Sequence, residues 1–289
     1  MKNFLLIIFI LSFFSIKAQD DDNKPDGNEF VGRWDLGLNF GVYLPSNYHA
    51  KFYNGSEDNV NKMSYVFGNK YWYEDIKREL NASDTIFVRE LPGNMRYNAA
   101  FQVGIYLRRT FDNYLGFSLQ FDYSKLTAAD VYTLEVDPYL IGREPDIRIY
   151  NIWGVEERVN IDILMSKYFK TKNPLFIPFF EAGLNLTSTK VKENKIKVEN
   201  LEYSLIDVYL NGSYIPNAPQ TTYEIYQGGM AMGFSIASGV KLQFSKQFSF
   251  DPGFRIYFQN IKLERYDLMK PAFSIFFRLS LADFFSSYE

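Results

Sequence analysis

Residues 34–44 read WDLGLNFGVYL, and this stretch decides the fold class. Every second side chain from Trp34 to Leu44 is apolar, while those between are acidic, amide, glycine or Tyr43. In a β-strand, successive side chains point to opposite faces of the sheet. The stretch therefore predicts a strand with one wholly apolar face, whereas a helix would scatter both sets of side chains around its circumference.

The same alternation recurs in seven further segments. A tilted strand needs roughly 9 to 11 residues to cross a membrane, whereas strands of soluble proteins average about 5 to 6. The predicted segments are long enough to cross, which favours a transmembrane sheet. They lie around residues 99–109, 114–125, 154–168, 176–187, 229–244, 248–259 and 271–281.

The connections between these segments alternate strictly between short and long. Outer-membrane barrels have short periplasmic turns and longer extracellular loops. The sequence therefore predicts an all-β fold, a transmembrane antiparallel up-and-down β-barrel of about eight strands with its long loops outside the cell. The short connections are 110–113, 170–174 and 245–247, and the long ones are 45–97, 126–151, 188–228 and 260–270.

The first residues have the pattern of a secretory signal. Lys2 gives a positive start, an apolar run follows, and Ala18 suits a cleavage site before Gln19. The run is shorter than the roughly 20 residues of a membrane-spanning helix. We expect a signal peptide over residues 1–18, a disordered mature N-terminus over 19–33 and an outer-membrane β-barrel over 34–289.

Composition narrows the function classes. The chain has 28 phenylalanines and 22 tyrosines, and aromatic girdles at both membrane interfaces are typical of outer-membrane barrels. Cysteine is absent, which excludes disulfides and cysteine-based metal sites. The net charge of −3 and the lack of a basic block argue against a nucleic-acid partner. With a single histidine, we expect neither a metal site nor a cofactor.

The polar faces of the strands carry five acidic and five basic side chains. They would form either a charged channel lining or a neutralised network that fills the barrel. Eight strands leave an interior just wide enough for side chains, and small residues on the polar face of segment 229–244 leave room for long ones, so filling is favoured. These residues are Asp35, Asp122, Asp162, Glu181 and Asp251, with Arg108, Arg158, Lys241, Arg255 and Arg278.

His49 is the only histidine and lies just beyond the first predicted strand. Some eight-stranded barrels are lipid A-modifying enzymes that place a histidine with serine or acidic residues near this rim. Ser46 and Asn47 are adjacent, with Glu57 and Asp58 further along. A lone histidine in a loop is more often solvated, so we predict no catalytic site and no enzyme activity.

Two segments of the long connections have patterns of their own. Residues 71–80 would form a short helix that lies on the membrane or a patch that binds a partner, but a loop that packs on the barrel rim is favoured. Residues 190–202 would extend the neighbouring strands or add a ninth and tenth strand, and their charge density favours extension. Pro252 cannot donate to a strand ladder and predicts a bulge. The roles of the loops 45–97 and 188–228 stay open.

Three stretches resemble the outer-membrane β-barrel proteins common in Bacteroidetes, including the PorT-like group. They are residues 157–169 (ERVNIDILMSKYF), 179–186 (FFEAGLNL) and 233–258 (GFSIASGVKLQFSKQFSFDPGFRIYF). The resemblance implies an outer-membrane barrel, and membership of the PorT-like group would imply an accessory role in protein secretion.

Together these observations predict a monomeric barrel in the cell outer membrane, with a filled lumen and a role in surface binding, structure or assembly. The expected partners are outer-membrane lipid or lipopolysaccharide and a protein at the extracellular loops or in a secretion machinery. The alternatives are an accessory of protein secretion, a porin-like small-solute pore and a lipid A-modifying enzyme.

Overall fold

The computed structural model describes residues 33–111, 114–138, 144, 146–171, 175–207, 227–245 and 247–282. The predicted signal peptide lies outside this part of the chain, as does all but Arg33 of the predicted disordered N-terminus. The strands are β1 (Trp34–Leu44), β2 (Ile86–Glu90), β3 (Arg96–Tyr97), β4 (Ala100–Thr110), β5 (Leu115–Val136), β6 (Asp146–Tyr168), β7 (Phe176–Val198), β8 (Leu201–Ser204), β9 (Gly228–Gln243), β10 (Phe248–Gln259) and β11 (Lys270–Ala282). The helices are α1 (Asn47–Ala50), α2 (Met63–Phe67) and α3 (Lys70–Leu80), with a 3-10 turn at Lys51–Tyr53.

Eight of the described strands close into a ring. Each is antiparallel to its neighbours in the order β1, β4, β5, β6, β7, β9, β10 and β11, and β11 pairs with β1 again. Closure pairs the backbone groups of both edge strands, which water could not satisfy inside hydrocarbon. The predicted eight-stranded, antiparallel up-and-down barrel is confirmed.

The two faces of the ring follow the alternation in the sequence. On β5, Leu119 and Phe121 point outward, while Gln120 and Asp122 point inward and are buried. Large apolar side chains are exposed on the outward face of the ring strands, as Phe101 is on β4. The inside is therefore polar and the outside apolar, the reverse of a water-soluble domain.

One predicted loop is largely strand. Residues 126–151 were expected to connect two strands, but β5 continues to Val136 and β6 starts at Asp146. β7 likewise runs on to Val198, which confirms the predicted extension for residues 190–198, whereas a separate short strand, β8, begins at Leu201. The continuations of β5, β6 and β7 form a sheet beyond the ring, with β2 and β8 at its two edges. This sheet stands at the end of the ring that carries the long connections, named here the loop end. The opposite end is named the turn end.

Helix α3 covers one face of this extended sheet. Asn69 caps its first turn by accepting hydrogen bonds from the backbone N–H groups of Tyr71 and Trp72, and Asn81 ends it in the left-handed conformation at φ 53°. Ile76 and Leu80 are buried in an apolar cluster with residues of β2, β5, β6 and β7. The favoured interpretation of residues 71–80, a loop packed on the barrel's own rim, is confirmed for the packing but wrong for the conformation, because the segment is helical. Among the described residues, no helix is long and apolar enough to span a membrane.

The bulge predicted at Pro252 is wrong. Phe250 pairs with Leu242 and Gly253 with Gly239, so the register between β10 and β9 is the same on both sides of the proline. The proline lacks an N–H group and faces outward, where it interrupts the ladder without adding a residue to the strand.

Candidate functional site

The lumen of the ring is lined with buried charged side chains. Six acidic and six basic side chains are buried among the described residues. All ten predicted charges are among them. The other two, Arg33 and Glu156, were not identified from the sequence. Each lies two residues before a predicted inward charge, Asp35 or Arg158, so continuing the alternation by two residues would have identified them.

At the turn end, three cations surround one carboxylate. Asp35 of β1 forms an ion pair with Arg108, its direct neighbour in register on β4. Arg33 Nε lies 3.0 Å from Asp35 Oδ1, and Lys241 Nζ of β9 lies 3.1 Å from Oδ2. All four side chains are buried. Buried charges persist only when paired, and this cluster ties β1 to β9 across the lumen.

The centre of the lumen is bridged in the same way. Glu181 of β7 accepts hydrogen bonds from both terminal nitrogens of Arg278, each at 3.1 Å, and from Arg255 at 3.2 Å. Tyr106 donates to Glu181 at 3.1 Å. Arg255 also donates to Asp162 at 2.7 Å. Charge-assisted bonds of this kind are the strongest in proteins, and here they join strands that are not neighbours in the ring.

Aromatic rings fill the space between these charges. Phe179 and Phe276 point inward and are buried, and neither was singled out from the sequence. A Cβ atom on Gly239 would collide with the ring of Phe179, and one on Gly253 would collide with the ring of Phe276. The predicted packing of long side chains against small ones is therefore confirmed, with aromatic rings as well as charged groups opposite the glycines.

At the loop end, the segment between β1 and α2 folds into the mouth of the ring. Tyr53 donates a 2.5 Å hydrogen bond to Glu156 Oε2, and Tyr97 donates to the same atom at 3.1 Å. Arg158 Nε lies 2.5 Å from Glu156 Oε1. Gly154 leaves room for the Tyr53 ring, since a Cβ there would collide with it. Burial, and next the Glu156 charge, raise the pKa of the Tyr53 hydroxyl well above its ordinary value, so it stays a donor.

His49 belongs to this mouth segment and is buried, so the expectation of a solvated histidine is wrong. Its Nε2 lies 3.2 Å from the carbonyl oxygen of Leu268, which makes Nε2–H the donor. Burial, with a further contribution from Arg158, lowers the pKa of His49 to about 3, and the ring is neutral. Tyr48 packs edge-on against it, with ring centroids 5.5 Å apart.

The other residues considered with His49 have separate structural contacts. His49 meets Ser46 through the backbone, N to O at 3.2 Å. Asn47 accepts from the backbone of Tyr97, and Glu57 accepts from Ser64 at 2.7 Å. Asp58 is exposed, 3.8 Å from Arg265. Among the described residues, no group of three or more histidines and carboxylates could hold a metal ion.

The outward side chains of β5, β6 and β7 form an apolar belt. On β6 the charged residues Glu157 and Lys167 mark its upper and lower limits. Leu115 pairs with Lys167 at the lower limit, and Lys125 pairs with Glu157 at the upper one. The ten steps along the chain from residue 115 to residue 125 span about 33 Å at about 3.3 Å each, or about 25 Å of height at a strand tilt of about 40°. The outward side chains between these limits are Phe117, Leu119, Phe121 and Tyr123 on β5, Val159, Ile161, Ile163 and Met165 on β6, and Ala182, Leu184, Leu186 and Ser188 on β7.

No family model matches the chain, and no curated protein matches it. Among solved structures, it is similar to Neisserial surface protein A (8% identity, 86% of this chain and 96% of that chain, TM-score 0.41). It is also similar to the outer membrane protein OprG (9%, 87% and 96%, 0.38) and to the N-terminal β-barrel domain of OprF (9%, 87% and 98%, 0.34), both from Pseudomonas aeruginosa. At these TM-scores the likenesses carry no argument. The chain is an eight-stranded antiparallel barrel on the strength of its own closed strand ladder.

Proposed function

We propose that the chain is an integral protein of the outer membrane that anchors a surface-exposed binding sheet. The observation that carries this is the apolar belt on a closed ring. Its height of about 25 Å matches the apolar band of outer-membrane barrels. A ring with this apolar outer face can remove it from water only by contact with lipid or with another protein. The signal peptide proposed for residues 1–18 would direct export.

The turn end faces the periplasm and the loop end faces the outside, because outer-membrane barrels carry short turns and long loops on those sides. The sheet of β2, β5, β6, β7 and β8 then projects from the cell. Phe87, Val131 and Ile149 are exposed on its outward side, beyond the upper limit of the belt. Exposed apolar patches of this kind commonly mark binding surfaces, which supports a binding or assembly role for a monomeric barrel.

The geometry favours this role over a solute pore or an enzyme. The Glu181 network fills the centre of the lumen, and Tyr53 and Glu156 close the mouth. His49 is buried and bound to a backbone carbonyl. An accessory role in protein secretion, which the PorT-like resemblance implies, would use the same projecting sheet. Deletion of the gene with an assay of secreted cargo separates that role from binding alone.

The test combines fractionation, gel mobility and conductance. We expect the protein in the outer-membrane fraction, as a band whose mobility shifts on boiling, and a planar bilayer that stays silent after insertion. Recovery in the soluble fraction without a heat-modifiable band contradicts the membrane assignment. Steady single-channel conductance contradicts the closed lumen.

A further inference from the structure

We propose that Lys125, Lys190 and Lys192, named here the lysine row, bind a phosphate group of an outer-leaflet glycolipid. The proposal rests on the function proposed above, because these lysines meet a lipid headgroup only if the apolar belt lies in the membrane. It adds the ligand, the residues that bind it and the side of the barrel on which it sits.

The lysine row lies where the apolar belt ends at the loop end. Glu157 on β6 pairs with Lys125 on β5 and with Lys190 on β7, so the three residues form one line across the outward face. The line directly below it holds Tyr123, Val159 and Ser188. Ammonium groups one residue pair beyond the end of the hydrocarbon stand at the depth of lipid headgroups.

A bulge in β7 adds the third lysine. Glu156 pairs with Val191 and Val155 pairs with Glu193, so Lys192 is an extra residue in the ladder. Bulges redirect side chains, and here two consecutive residues, Lys192 and Glu193, are half-exposed between the buried Val191 and Asn194. Without the bulge, strict alternation would turn Glu193 inward.

The charges in this line do not cancel. Lys192 Nζ lies 2.9 Å from Glu157 Oε2, and that carboxylate is the one acid among the described residues of the line. Glu193 is paired with Lys195 at 3.3 Å. Each ammonium group carries three donor hydrogens, more in total than one carboxylate accepts. The line therefore has two positive charges in excess, at a depth where the anionic groups are lipid phosphates.

Lysine suits this ligand because it binds phosphate as a point charge without a fixed approach geometry. Below the line and below Ser188, the outward side chains of β7 include Leu184 and Leu186, which would pack along acyl chains. The site therefore combines an apolar wall for the lipid tails with a cationic rim for the headgroup. Binding that depends on the phosphate distinguishes this site from nonspecific contact with lipid.

The test measures binding of purified lipid A to the full-length protein folded in a neutral detergent. The probes are bisphosphorylated lipid A and the same lipid after enzymatic removal of its phosphates. We expect the wild type to bind the phosphorylated form about tenfold or more tightly, because each lysine contributes separately to attraction for an anionic headgroup. The variant with Lys125→Gln, Lys190→Gln and Lys192→Gln should lose that preference.

The control variant carries Lys51→Gln, Lys62→Gln and Lys70→Gln, which change the net charge equally on exposed residues of the loop end away from the belt. It should bind as the wild type does. Equal binding of both lipids by the wild type, or an unchanged preference in the lysine-row variant, overturns the proposal. The wild type and both variants are first checked for the heat-modifiable band, and absence of that band from the wild type counts against the proposed function rather than against lipid binding.

Discussion

Arg278 and Glu181 form a two-point bridge across the lumen, with Nη1 bonded to Oε1 and Nη2 to Oε2, each at 3.1 Å. They belong to β11 and β7, which are separated by β9 and β10 in the ring. The bridge therefore fixes the distance between opposite walls, which ladder hydrogen bonds between neighbours do not. Both side chains are fully buried.

Glu181→Gln should lower the temperature at which the heat-modifiable folded band disappears. The substitution leaves Arg278 and Arg255 without the carboxylate that both bind. Breaking a buried ion pair costs about 3–5 kcal/mol of stability where the site is dry. Glu193→Gln is the control, because Glu193 is half-exposed and its pair with Lys195 is worth little. An unchanged transition for Glu181→Gln would mean that water screens the lumen, and the bilayer should then be examined for conductance.

Leu119→Arg should destabilise the barrel in a bilayer by about 2–4 kcal/mol, because it places a charge near the middle of the hydrocarbon. Ile163→Arg should do the same, since Ile163 is the register partner of Leu119 on the adjacent strand. Ala129→Arg lies on the same outward face of β5 beyond the belt and should cost far less. The measurement is denaturant unfolding in liposomes. A similar cost at all three positions would place the membrane boundary elsewhere.

The mouth segment should loosen in acid through His49. The histidine has its pKa lowered to about 3 when folded, against an ordinary value of 6.5. Between these values the unfolded segment binds more protons, so the stability contributed by neutral His49 is complete above about pH 6.5 and is lost as the pH falls towards 3. Cleavage by pepsin, an acid protease that cuts beside aromatic residues, should therefore rise at the buried Phe52 and Tyr53 as the pH of the reaction falls.

His49→Phe is the matched variant for that measurement, because it keeps a ring beside Tyr48 without a titrating group. Its cleavage should depend less on pH over the same window. If wild type and variant give the same pH profile, the acid response of the mouth belongs to other groups, such as Glu156.

The orientation of the barrel can be checked with peptide tags. A tag inserted at Gly93, whose surroundings are open, should bind antibody on intact cells. A tag at Gln247, in the short connection between β9 and β10, should bind antibody only after the outer membrane is permeabilised. The reverse pattern would show that the turn end faces outward.

The lumen residues were predictable because their signal is local. A period of two assigns Asp35, Arg108 and Glu181 to the inward face before any partner is known. The pairing of Glu181 with Arg278 was not predictable, since it depends on which strands lie opposite each other once the ring closes. His49 was misjudged for a similar reason, because its burial depends on the distant segment that supplies Leu268 and on Tyr48 packing beside it.

The sequence by itself determined eight strand segments, their boundaries at the turn end and the face on which each side chain lies, because backbone geometry imposes a two-residue repeat on any strand. Only the tertiary structure decided the rest. β5 and β6 rise well beyond the belt because α3 covers the inner face of the extended sheet, which lets residues that look like a polar loop stay in strands. Tyr53 reaches Glu156 in the mouth because Gly154, on one strand, leaves room for its ring. Such contacts form between parts of the chain far apart in sequence, so no local pattern encodes them.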